Sequence, residues 1–270
     1  MINLNYICKT LREHVKFLIM AFLMLGTLEF LIFMLVVEAD FLNMAQIFIQ
    51  KFPPIVQQYF NDQWLAQFSI SGAVAFGYNH PFVLIFLAII AIMLPARHIA
   101  SEIEGGTLEL LFSLPVKRLK IAFSLWLFSL FALLLVIIGC WIGTLVGTLV
   151  YPQFSNLSFS RLILTGINLW LLMLTINAYT FFLAAYSREC SRVTMQAAGI
   201  TLFFYFLNYI ARLWPKIELL RHTSIFNYYQ PQKVMMGQTA FGANIAVPLI
   251  LIIVFMMLAF WRMNRRDIPG

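Results

Sequence analysis

Residues 121–150 read IAFSLWLFSLFALLLVIIGCWIGTLVGTLV, and no charge occurs between Lys120 and Arg161. A bilayer core is crossed by about 20 apolar residues of helix, so this run has slack to tilt or to carry an interfacial turn. Five further apolar runs lie around it, near 17–37, 77–96, 161–187, 193–211 and 244–261. Of the 270 residues, 62% are hydrophobic, 11% are charged and 27 are Phe. A soluble domain could not hydrate such a surface. The expected fold is an all-α integral membrane protein of six transmembrane helices, with 1–270 a single transmembrane domain.

The net charge of +7 is not a nucleic-acid signal, because the basic residues sit mainly at the ends of apolar runs. With the N-terminus in the cytoplasm, the inner segments hold Lys9, Arg12, Lys16, Arg97, Lys117, Arg118, Lys120, Arg188, Arg192, Arg262, Arg265 and Arg266. The outer ones hold Lys51, Arg161, Arg212, Lys216, Arg221 and Lys233. Twelve against six favours both termini inside, in a bacterial cytoplasmic (inner) membrane. Four of the outer cations fall in 212–243, and long loops obey the rule poorly. This topology puts Cys8 and Cys190 in reducing cytoplasm and Cys140 in the membrane, with no disulfide or zinc spacing among them. The run Phe17 to Val37 has no small-x-small cleavage site after it, so it is expected to be a retained span.

The segments between spans are also patterned. In 1–16, Leu4, Ile7, Leu11 and Val15 form one stripe opposite Lys9, Arg12, Glu13 and Lys16, an amphipathic helix for the cytoplasmic interface. In 38–76, Ile55, Val56, Tyr59 and Phe60 share a helical face, with Gln57, Gln58, Asn61 and Asp62 opposite. Short outer-face helices fit this segment, either packed on the spans or facing a substrate. Residues 212–243 suit a partly re-entrant hairpin, and 262–270 a cytoplasmic tail.

Catalytic machinery is missing. The chain has no phosphate loop and no Gly-x-Ser-x-Gly elbow, so no catalytic residue is assigned. His14, His80, His98 and His222 are scattered without a helix-spaced pair, and no metal site is expected. Glu29 is the sole acidic residue within a span. An ionisable group there is a functional candidate because its charge costs several kcal/mol. The competing reading is a neutral or snorkelling side chain paired with a neighbouring span.

Between the second and third spans, in 97–120, acidic Glu102, Glu104 and Glu109 alternate with Ile99, Ile103, Leu108, Leu110, Leu111 and Leu114. Gly105-Gly106 interrupts the run, and a second helical piece ends before Pro115. Such a knob can dock a soluble partner, or it can be an ordinary surface loop. The stretch Glu102-x-Glu104-x-Gly106-Thr107-Leu108-Glu109-Leu110-Leu111, then Pro115-Val116-Lys117-Arg118, resembles the signature of permease subunits of type-2 ATP-binding cassette (ABC) exporters. The resemblance implies a coupling helix that seats in a separate ATPase subunit, with Glu102, Glu104, Gly106, Thr107, Leu108, Leu111, Pro115 and Arg118 at the contact. It also implies two ATPase subunits per complex, ATP and Mg bound on them rather than here, and a second permease subunit, expected to be a homodimer. Lys117 stands where Ser is usual, and Ser124 near where many members place Lys.

Small residues four apart, Gly139, Gly143 and Gly147, give the third span a close-packing face, within the subunit or across a dimer. On the fourth span Thr165, Asn168, Thr175 and Tyr179 share a face, and the fifth carries Asn208. With Glu29 these are the pathway candidates, set against a purely interhelical role. The leading expectation is the permease of an ATP-driven exporter. The alternative is an ABC-type machine passing conformational change to an outer-face soluble partner, as in metalloenzyme maturation or lipoprotein handling. A membrane-embedded enzyme is the third class.

Overall fold

The computed structural model describes residues 4–38, 47, 51, 70–101, 118–152, 157–187, 189–238 and 241–265, and among these there is no strand. The main helices are α1 (Leu4–Glu38), α2 (Ile70–Tyr78), α3 (Pro81–Pro95), α4 (Arg118–Val150), α5 (Phe159–Tyr186), α6 (Cys190–Leu213), α7 (Pro231–Met236) and α8 (Phe241–Arg265). A π-helical turn, Ala96–Ser101, prolongs α3, and 3-10 turns at Pro215–Thr223 and Ile225–Tyr228 precede α7. Six stretches are long and apolar enough to cross a membrane: Ile7–Ile32, Val74–Ala100, Leu119–Val150, Phe159–Tyr186, Cys190–Leu213 and Gly242–Arg265. The fold is an all-α membrane bundle.

Two boundaries differ from the hydropathy reading. From Leu4 on, the expected amphipathic segment is continuous with the first span in α1, which runs unbroken from Leu4 to Glu38. The second span, Val74–Ala100, begins before the expected 77 within the helix that starts at Ile70, and it is discontinuous. Asn79 and His80 close the α2 turn through bonds to Ala75 O, Phe76 O and Gly77 O. Pro81, with no N–H to lose, restarts the helix as α3. Of the outer segment expected in 38–76, all but residues 38, 47, 51 and 70–76 lies outside the described residues, and 70–76 belong to α2.

α5 sits at the centre, touching α3, α4, α6, α7 and α8. Pairs of contacts give the helix directions. Trp141 Nε1 donates to Leu162 O and Trp170 Nε1 to Leu130 O, so α4 and α5 are antiparallel. Asn168 meets Asn244 O while Phe182 meets Phe255, so α5 and α8 run parallel. A Cβ added at Gly139 of α4 would collide with Phe22 O of α1, and one at Gly143 would collide with Gly26 O. α1 and α4 are therefore parallel and in backbone contact within one subunit. The buried Gly147 continues that face.

Backbone satisfaction explains two buried asparagines. Pro95 inside α3 and Pro248 inside α8 each lack the N–H that would bond the carbonyl four residues back. Those carbonyls belong to Ala91 and Asn244. Asn177 Nδ2 donates to Ala91 O at 2.8 Å, and Asn168 Nδ2 donates to Asn244 O at 3.3 Å. The two asparagines are nine residues apart, two and a half turns, so α5 serves a neighbour on each side.

Asn177→Leu is expected to destabilise the protein by about 1–2 kcal/mol, because Ala91 O is left bare in an apolar interior. In a Pro95→Ala background, where residue 95 supplies the missing N–H, the same change should cost under about 0.5 kcal/mol. Thermal unfolding of the four proteins in one detergent reads the difference.

Candidate functional site

The inward stripe of α1 runs Thr10, His14, Leu18, Ala21, Leu25, Glu29, Ile32, all buried and spaced three or four apart. Leu11, Val15 and Ile19 face outward. Of the apolar stripe expected at the cytoplasmic interface, Leu11 and Val15 thus lie on the outside of the bundle, while Ile7 is partly buried against the core. Outside a membrane protein's bundle is lipid, so its apolar residues can face out while small and polar ones face protein.

Glu29 is fully buried, and among the described residues neither carboxyl oxygen has a hydrogen-bond partner. It does not snorkel to an edge. Gly77 on α2 makes the room, since a Cβ there would collide with Glu29 Oε2. Next to it, at the break between α2 and α3, Tyr78 places its hydroxyl 3.1 Å from Thr144 Oγ1. Thr144 in turn donates to Cys140 O at 3.1 Å, so Tyr78 is the donor in the first bond. The carbonyl of Tyr78 accepts from Tyr229 Oη at 2.7 Å. Irregular backbone at this depth needs such a partner, and Tyr229 supplies it.

Sequence reasoning singled out Glu29 but not Tyr78 or Tyr229. The signal was there in Asn79-His80-Pro81, which ends one helix and starts another, leaving carbonyls to be met. The cluster has one carboxylate with unused acceptor capacity beside three hydroxyls. It can receive a hydrogen-bond donor brought in by cargo or by a rearranged span.

Four of the other pathway candidates, Thr165, Asn168, Thr175 and Tyr179, are buried within the subunit. Thr165 donates to Arg161 O and Thr175 to Leu171 O. Asn168 also donates to Tyr228 O at 3.0 Å and accepts from Gln230 N at 3.2 Å, tying the segment before α7 to α5. Tyr179 bonds Thr201 on α6. Asn208, half-buried on α6, has an unpartnered Oδ1. Between α3 and α6 lies an apolar groove of about 300 Å³ walled by Leu84, Ile85, Ile89, Leu202, Phe206 and Phe226.

Glu102, Glu104, Gly106, Thr107, Leu108, Leu111 and Pro115 lie outside the described residues, and Arg118 is the first residue of α4. The π turn at Ala96–Ser101 and α4 bracket that segment.

Glu29→Met, which keeps length and removes the unpartnered oxygens, is expected to stabilise the fold by about 1–3 kcal/mol. Thermal unfolding in mild detergent measures it, and a lowered midpoint would mean that the carboxyl is matched by a partner.

Comparison with known families gives a match to the sequence model described as ABC-2 family transporter protein, over residues 9–268. No curated protein matches the chain.

Proposed function

The chain belongs to the ABC-2 transporter family, and from that premise we propose that it is the membrane-spanning permease of an ATP-driven exporter. As a family member it is a permease component of an ABC transporter, not a catalytic subunit, and such permeases partner ABC ATPases. Our reading goes further in four respects. Two copies form a homodimer in the bacterial inner membrane, with both termini cytoplasmic. Two separate ATPase subunits dock on residues 99–115 and hold the ATP and Mg. Their closure moves the segments flanking that loop. The spans then switch between states facing opposite sides, and differential contact with those states drives the cycle.

The family match over almost the whole chain carries this reading. The acidic and apolar pattern from Glu102 to Arg118 supports the docking assignment. Apolar side chains exposed on α3 (Phe82, Ile85, Ile89) and α6 (Leu202, Phe206, Tyr209) suit a second copy. Across the α3–α6 groove, that copy would enclose a path lined by apolar groups, with Thr201 and Tyr205 at its wall. A cargo with a substantial apolar portion fits such a lining. Glu29 and the hydroxyls around it are the polar interior group such a cycle could use.

The test is purification from native membranes of the tagged wild type beside Glu104→Lys. Wild type is expected to retain an ATPase subunit and its activity, and the charge reversal to lose one or both while eluting as folded protein. If folded wild type brings down no ATPase in several mild detergents, the exporter reading fails.

A further inference from the structure

His14 on α1 and His98 on the π turn are 84 positions apart in sequence, yet their Nε2 atoms lie 2.8 Å from each other. Both rings are buried at under a tenth exposure. Glu13 adds a carboxylate, and the three ligand atoms fall within 4.8 Å of one another. We propose that His14, His98 and Glu13 form a binding site for a divalent transition cation of the zinc class, joining α1 to the turn that leads into residues 102–117.

Chemistry and geometry both favour it. Without a cation, two neutral imidazoles facing through Nε2 share a single proton, one ring donating and the other accepting. A metal ion in that place lets both nitrogens act as donors. Around tetrahedral zinc, with bonds of about 2.0–2.1 Å, ligand atoms sit about 3.3 Å apart. The two nitrogens therefore need to part by only about 0.5 Å from their 2.8 Å separation. Among the described residues, the ion pair Glu13 makes is an exposed one with Lys9 at 3.9 Å, which is weak and screened, so its carboxylate can turn. It also offsets the neighbouring cation of Arg97, which is exposed. Phe128 stands 6.2 Å from the His14 ring and closes one side. The three protein ligands leave a fourth position for water. Two imidazoles with one carboxylate suit zinc and its first-row neighbours rather than magnesium or calcium, which prefer oxygen ligands.

The backbone supports this placement. Pro95 breaks the α pattern and the π turn follows it. Such turns shift register by one residue and concentrate at functional positions. Here the turn carries His98 against α1. Bound metal would clip the first part of α1 to that turn, a link separate from any transport step.

The experiment uses the full-length protein in detergent, purified without a histidine tag and stripped with chelator. It is titrated with Zn²⁺ by calorimetry and with Co²⁺ by absorption. One Zn²⁺ per chain is expected, with the intense d–d bands of four-coordinate Co²⁺. His14→Gln and His98→Gln should each weaken binding by about 100-fold or more, and Glu13→Gln by about tenfold. His222→Gln should leave it unchanged. Absence of stoichiometric binding to wild type, or equal affinity in all variants, overturns the site. If a histidine variant fails to fold, Glu13→Gln and protection of His14 and His98 from diethylpyrocarbonate by Zn²⁺ decide the matter. Unchanged affinity without protection overturns it.

Discussion

The bundle depends on one constraint: in an apolar surrounding, every backbone carbonyl that loses its helical partner must find another. Three breaks in the helices create such carbonyls, and each is met by a side chain from elsewhere. Pro95 frees Ala91 O, taken by Asn177, and Pro248 frees Asn244 O, taken by Asn168. The interruption at Asn79–His80 leaves Tyr78 O, taken by Tyr229. Because the two asparagines sit on α5, that helix is bonded to α3 and α8 in fixed register. Irregular backbone and buried polar side chains here are two halves of the same solution.

Glu29 stands apart from this pattern. Around it the hydroxyls of Tyr78, Thr144 and Tyr229 are occupied with each other or with backbone, and the carboxyl oxygens are left over. Gly77 has no side chain where the carboxyl sits, so the space is built in. A buried group with unmet capacity costs stability. Proteins retain such groups where a second state or a ligand uses them.

Much of the fold was legible because lipid imposes length: six apolar runs of about 20 residues or more admit little but six helices. The glycines of the third span also announced a close contact, though only coordinates identify α1 as its partner. Other features were hidden for physical reasons. The asparagine bonds that answer the two prolines join residues 76 and 86 positions apart, and no local pattern encodes them. His14 and His98, 84 residues apart, looked scattered for the same reason. The segment best read from sequence, Glu102 to Arg118, rests on motif alone.

The glycine contact between α1 and α4 has a mechanical consequence. Helices held at backbone distance by small residues have no side-chain cushion between them, so they resist sliding and shear. α1 spans 35 residues, about 50 Å as a helix, and α4 begins at Arg118. Together they form a stiff double strut whose foot is at the Arg118 end of α4 and whose far end passes Glu29. A small tilt at the foot becomes a displacement of several ångströms at the other end, with no change in the packing between the two.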